Sequence, residues 1–134
     1  MSTAIRNRQP LFAAHRSALG LDGRRMSAGL EEREDLAVTA ALPNEALLTY
    51  LHAVFDATRS NLGKIDSMAL ETVPATSRRL ASKAGLSVDE VGWLHKMWAD
   101  RPVWWLIQWP IVGHGHAHVG EAISVRNRMG LSPF

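Results

Sequence analysis

The sequence predicts an all-α protein, an up-and-down helical bundle formed by a single domain over residues 1–134. Two amphipathic stretches predict this fold class. Between Asn44 and Ile65, apolar residues recur at helical spacing along one face, which is the pattern of a helix packed in a bundle. Between Ile107 and Met129, a second face repeats the pattern. A chain of 134 residues is long enough to bury one hydrophobic core.

Shorter segments complete the expected order of helices. Pro10–Leu19 predicts a short helix, and Gly20–Gly29 is a basic, glycine-rich loop. Leu30–Ala41 predicts another short helix that ends before Pro43. Because proline lacks an amide hydrogen, Pro43 suits the first turn of the long helix that follows it.

The segment Ser77–Asp100 predicts two short bundle helices joined at Gly85. The spacing of Ala81, Gly85 and Val91 also matches a helix-turn-helix, in which a small residue, a turn glycine and an apolar anchor recur in this order. A helix that reads DNA needs arginine, lysine, asparagine or glutamine facing base edges. Here Ser87 is a typical N-cap, and the acidic residues after it would repel phosphates. We therefore favour bundle helices and do not expect nucleic acid as a partner.

The composition excludes several classes of site. The sequence contains no cysteine, so a disulfide framework, a thiolate metal site and a cysteine nucleophile are excluded. A net charge of +2 is weak support for nucleic-acid binding. The first residues lack the apolar core of a signal peptide, and the apolar run Val103–Gly113 is too short to span a bilayer. We expect a cytoplasmic protein with no membrane partner.

A group of histidines is the main candidate site. On a helix, His114 and His118 project from the same side one turn apart, while His116 points elsewhere. Two imidazoles in this arrangement can hold one divalent metal. The pair falls on the apolar stripe of its helix, so we expect both rings to be buried. Glu121 is a candidate acceptor or further ligand, and the alternative is a pair of core histidines bonded to neighbouring helices.

Tryptophans and a proline mark the segment before these histidines. Five tryptophans lie between Trp93 and Trp109. Trp105 and Trp109 face away from the histidine arc, which makes them candidates for a subunit interface. Pro110 has no amide hydrogen to donate, so it either starts the last helix or kinks it just ahead of His114.

The terminal motif resembles a known family. The run Gly113–Ala122, continuing through Arg126 to Gly130–Phe134, resembles the last helix of the DinB-like superfamily, with its HxxxH pair, Gly-Glu step and arginine. Upstream, Leu48–Leu62 is similar to the family's third bundle helix, and Arg8–Gly20 resembles the connection before it. The resemblance implies a four-helix bundle that often dimerises and often binds zinc or nickel through three histidines. Members include thiol-dependent transferases and isomerases.

Carried over by position, His114 and His118 match the second and third metal ligands of that family. The first ligand lies on an upstream helix that we expect to be missing from this sequence. His15 falls in the connection region, and His52 is the candidate third ligand from the flank of a different helix, with a half-exposed surface histidine as the alternative. Three outcomes follow: a partial metal site, a site completed by another subunit, or a bundle without metal.

The resemblance implies a divalent-metal-binding enzyme of thiol-dependent transferase or hydrolase type that acts on a small molecule, here with a metal site that lacks its third ligand. Three protein ligands leave a position for water or for a substrate oxygen or thiol. Glu121, the candidate catalytic residue, would carry a proton or hold a ligand histidine in its tautomer. The alternatives are a non-catalytic dimeric bundle, since a missing helix would expose an apolar face that a homodimer covers, and a helix-turn-helix regulator.

Overall fold

The structure of the chain is a computed structural model. The structure describes Ile5, residues 10–24 and residues 32–131, without the side chains of 32–35. Within these ranges the chain is helical and contains no β-strand, so the all-α prediction is confirmed. Parts of four sequence predictions lie outside the described residues. They are the start of the N-terminal resemblance at Arg8, residues 25–29 of the glycine-rich loop, the expected helix start at Leu30 and the end of the terminal motif at Phe134.

The helices follow the expected order, with shorter bounds at the N-terminal end. A single 3-10 turn, Ser67–Ala69, lies in the connection between the third and fourth helices. The helices are α1 (Phe12–His15), α2 (Glu32–Ala41), α3 (Asn44–Leu62), α4 (Thr76–Arg79), α5 (Val88–Trp98), α6 (Val103–Ile107) and α7 (His114–Arg128).

The hydrophobic core forms where α4 and α5 meet. A π-helical turn, Leu80–Ala84, extends α4, and Gly85 ends it with a positive φ of 69° and donates its amide hydrogen to the Leu80 carbonyl. Glycine adopts this left-handed conformation without the steric cost that a Cβ brings. The chain can then reverse, so the two helices pack against each other. The buried cluster comprises Leu80, Leu86, Val91 and Leu94, with Ala84, Met97 and Trp98 packed against it.

Local capping explains where α5 begins. The Ser87 hydroxyl accepts from the Glu90 amide, and the Glu90 carboxylate accepts from the Ser87 amide, which is a reciprocal capping box. The predicted cap at Ser87 and the predicted joint at Gly85 are both present. The backbone of Val91 departs from helical angles, with φ −134° and ψ 46°, so α5 is kinked near its start.

A continuous helical segment, Val103 to Arg128, carries the histidines. Its first amides are satisfied by a loop, because Val103 and Trp104 donate to the carbonyls of Thr72 and Leu70 at 2.9 and 3.0 Å. Between α6 and α7 the segment widens into a π-helical turn, Gln108–Gly113, around Pro110. The predicted irregularity ahead of His114 is therefore present.

The two longest helices are open to solvent. Neither α3 nor α7 contains a buried residue. Large apolar side chains are exposed on both, including Leu48, Leu51 and Phe55 on α3. Their amphipathic stripes therefore stay uncovered, or only partly covered, in the single chain. Among the described residues, no helix combines the length and the apolar character that crossing a bilayer requires.

Candidate metal centre

His114 and His118 occupy the first two turns of α7 and face each other. Their Nε2 atoms are 3.1 Å apart, and their ring centroids are 4.4 Å apart with an interplanar angle of 69°. The π-helical turn ends at this pair. The amide of His114 donates to the carbonyl of Trp109, five residues back, rather than to that of Pro110. The predicted pairing of the two imidazoles on one side of the helix is thus present.

Glu121 orients the second ring of the pair. Its Oε2 lies 2.8 Å from Nδ1 of His118. A carboxylate accepts hydrogen bonds and does not donate them when ionised, so Nδ1 of His118 carries the proton. The neutral ring then has its lone pair on Nε2, the atom that faces His114. A histidine that donates from one ring nitrogen to a carboxylate and presents the other is the arrangement found around protein-bound metals.

The spacing of the pair suits a shared cation. A tetrahedral ion with metal–nitrogen bonds of about 2.0–2.1 Å holds two ligand nitrogens about 3.3 Å apart. The observed Nε2 separation of 3.1 Å is close to that value. Without a cation, one of the two Nε2 atoms must donate to the other, and when His118 is neutral with its proton on Nδ1 the donor is His114. The donor set fits zinc or nickel, both of which imidazole ligands suit.

The expectation of burial at this pair is wrong for the single chain. Both histidines are exposed, and the side chains of His118 and Glu121 are 62% and 72% accessible. The reason is that no other helix of the described residues packs over this face of α7. The apolar stripe places the pair on one face of α7, but no residue of α7 is buried beneath another element. His116 is exposed as well, as expected.

The described part of the chain supplies no third ligand. Its residues contain no group of three histidine or acidic side chains that could hold a metal ion. His52, the candidate third ligand, is exposed on α3 and does not join the pair. His15 lies beside Tyr50 instead, with ring centroids 5.4 Å apart. The candidate site as described therefore consists of two histidines and one carboxylate that contacts the second ring.

Sequence reasoning missed the one buried histidine. His95 is 4% exposed, and its Nε2 donates to the carbonyl oxygen of Leu86 at 2.8 Å. Its Nδ1 is also buried and, among the described residues, has no hydrogen-bond partner. The available signal was its position, four residues after Val91 and adjacent to Leu94, which places it on the buried face of α5. This ring links α5 to the turn and is distant in sequence from the metal candidates.

The α4–turn–α5 unit only partly exposes the helix that would read DNA. Leu94 is buried, whereas Trp93 is 56% exposed. The exposed surface of α5 carries Asp89, Glu90 and a single lysine, Lys96. Two carboxylates against one ammonium group would repel a phosphate backbone. The geometry is that of two helices joined by a tight turn, and the chemistry of the second helix does not favour a regulator.

The tryptophans before the pair are only partly covered. Trp105 is half-buried and lies under the Arg101 guanidinium, 4.9 Å from the ring centroid. Trp109 is exposed and packs along Gly113, where an added Cβ would lie 3.2 Å from the indole Cε3. Glycine at position 113 thus allows the Trp109 ring to approach the backbone closely. A subunit interface at Trp105 and Trp109 stays a prediction.

Comparisons with known proteins leave the family open. No family model, curated protein or solved structure matches the chain. The resemblance to the DinB-like superfamily therefore depends on sequence motifs, of which the run from Gly113 to Phe134 is the most specific. The geometry of His114, His118 and Glu121 is the observation on which a functional proposal can rest.

Proposed function

We propose that this protein is a DinB-like helical protein that binds a divalent metal, zinc or nickel, through His114 and His118. The observation that carries the proposal is the pair of facing Nε2 atoms, 3.1 Å apart, with the second ring held by a carboxylate. A ring pair that only filled a core would be buried, and these rings are exposed. Two exposed, mutually oriented imidazoles are a preformed chelate.

We further propose an enzyme of thiol-dependent transferase or hydrolase type that acts on a small molecule. A bound zinc or nickel ion with an open coordination position would polarise water or a substrate thiol or oxygen. In this scheme His114 and His118 bind the ion through Nε2. Glu121 holds the proton on His118 Nδ1 and so keeps Nε2 available. The same carboxylate is the candidate proton carrier, because it is exposed beside the pair.

A non-catalytic protein that works by association is the second candidate. The exposed apolar side chains on α3, Leu48, Leu51 and Phe55, favour it. Contiguous exposed apolar surface in a soluble chain commonly marks an interaction site. This candidate predicts self-association that is independent of metal and of both histidines.

Metal titration of the purified chain tests the first proposal. The unsubstituted protein, stripped with a chelator and titrated with zinc or nickel by calorimetry, should bind the ion, whereas the double variant His114→Ala/His118→Ala should not. The matched control is His116→Ala, which removes an exposed histidine of the same helix from its other side. Absence of binding to the unsubstituted chain, or equal binding by the double variant, would contradict the proposal.

A further inference from the structure

We propose that His114 and His118 form half of a four-histidine site that joins two copies of this chain around one divalent ion. This inference rests on the proposed metal binding. It adds that the partner is a second copy of the chain and that the metal controls the oligomeric state. Zinc in a closed site takes four protein ligands and keeps no position for water or substrate. One copy supplies two ligands, and the second copy supplies the same two. The bridging ion is therefore structural, and it takes the place of the catalytic scheme proposed above.

The other histidines of the sequence do not complete the site. The sequence has six histidines. His95 is buried and donates to the Leu86 carbonyl, and His15 lies against Tyr50. His52 does not join the pair, and His116 points about 160° away from His118 around α7. The residues that the structure leaves undescribed include no histidine or cysteine. A second copy is therefore the direct source of further imidazole ligands.

The surface around the pair suits a second helix. On the same face of α7, within about 60° of His118, lie Ala122, Val125 and Met129, with the Glu121 carboxylate at the edge of the face. Val125 and Met129 are exposed in the single chain, and Ala122 is small enough to let another helix approach closely. This face, which we call the histidine face, therefore combines metal ligands with apolar and small side chains. The centres of dimer interfaces are apolar and enriched in methionine, which Val125 and Met129 fit.

Charge favours an antiparallel arrangement of the two copies. Arg126 and Arg128 both lie in the last turn of α7. A parallel pair would bring four guanidinium groups together at one end, whereas an antiparallel two-fold pair separates them. In the two-fold arrangement each copy uses the same face, so a single surface supplies both halves of the site. The metal then binds with high affinity only when two copies meet, and by linkage it strengthens their association.

The experiment measures molecular mass and metal content of the full chain together. Sedimentation equilibrium is run with a chelator and then with zinc alone, and bound zinc is counted by elemental analysis. The chelated chain is expected to be a monomer, and the zinc-loaded chain a dimer with roughly one ion per two chains. His114→Ala/His118→Ala should remain monomeric with zinc, and His116→Ala should dimerise normally.

A second pair of variants tests the face rather than the ligands. Val125→Arg places a charge on the histidine face and should weaken the zinc-dependent dimer at least about tenfold, while the chelated monomer keeps its helical circular dichroism. Ile123→Arg, an equally exposed position on the other side of α7, should leave the dimer unchanged. Equal weakening by both substitutions would count against the histidine face.

The remaining outcomes separate the two proposals. A chain that binds zinc through the pair and stays monomeric overturns the bridged dimer and leaves the proposed metal binding intact. A dimer that forms equally with the chelator also overturns metal control. A chain that binds no zinc overturns the proposed function, and the bridged site falls with it.

Discussion

Oε2 of Glu121 lies 2.8 Å from Nδ1 of His118, one turn further along α7. This contact gives His118 a defined tautomer and turns its Nε2 toward Nε2 of His114. Three side chains on two helical turns thus set the geometry of a chelate without help from another element. The contacts that orient the pair come from α7 alone, and both rings are exposed.

Glu121→Gln should weaken metal binding by about 10–100-fold, the usual effect of removing a carboxylate behind a ligand histidine. Glutamine keeps the side-chain length but carries no charge, so it holds the His118 proton less firmly. Zinc affinity measured by competition with a coloured chelator checks this. Glu71→Gln, at an exposed loop position, is the control and should leave zinc affinity unchanged. Equal affinity in Glu121→Gln and the unsubstituted chain would show that Glu121 does not support the pair.

His95→Leu should lower the free energy of unfolding by about 1–3 kcal/mol, because the buried Leu86 carbonyl loses its 2.8 Å donor. Urea unfolding followed by tryptophan fluorescence measures the change. The comparison is His116→Leu at an exposed position of α7, where a shift within about 0.5 kcal/mol is expected. If His95→Leu also falls inside that range, the hydrogen bond contributes little to the fold.

Two glycine substitutions should change stability in opposite directions. Gly85 has a φ of 69°, so Gly85→Ala forces a Cβ into the left-handed region at a cost of about 1–2 kcal/mol. Gly120 lies inside α7 with open space around a built Cβ, so Gly120→Ala should raise the stability of that helix by about 0.5–1 kcal/mol. Thermal unfolding followed by circular dichroism compares them. A stabilising Gly85→Ala would contradict the described turn, and a destabilising Gly120→Ala would contradict the open space beside Gly120.

The single tyrosine gives a direct test of packing between α1 and α3. Burial raises the pKa of Tyr50 above its ordinary value of 10.0. Because the folded-state pKa is raised, the associated stability is complete below pH 10 and is lost as the pH rises through the folded-state value. Absorbance of tyrosinate should therefore titrate later in the folded chain than in urea, and the free energy of unfolding should fall above about pH 10. Coincident titrations would place Tyr50 in solvent.

The elements that could be predicted from the sequence are those set by local chemistry. The cap at Ser87 and the turn at Gly85 depend on a few neighbouring atoms, so both were predictable. The start of α3 at Asn44 after Pro43 and the irregularity around Pro110 are of the same kind. The facing of His114 and His118 follows from helical geometry alone.

What the sequence could not predict depends on which surfaces meet. An amphipathic stripe indicates that residues share a face, but not that another element covers it. The burial expected for His114 and His118 was therefore wrong, while His95, whose Nε2 bonds to the Leu86 carbonyl in the turn before α5, is buried. Whether a third ligand reaches the pair likewise depends on which helices or subunits pack together. Among the described residues, His52 does not reach it.

X-ray absorption at the zinc edge tests the central claim most directly. The account predicts imidazole nitrogens at about 2.0–2.1 Å from zinc in the loaded protein, with the outer-shell scattering of histidine rings. In His114→Ala/His118→Ala this imidazole signal should disappear, and in His116→Ala it should remain. A shell of oxygen ligands in the unsubstituted chain, or an imidazole signal that survives the double substitution, would contradict the claim that this pair holds the metal.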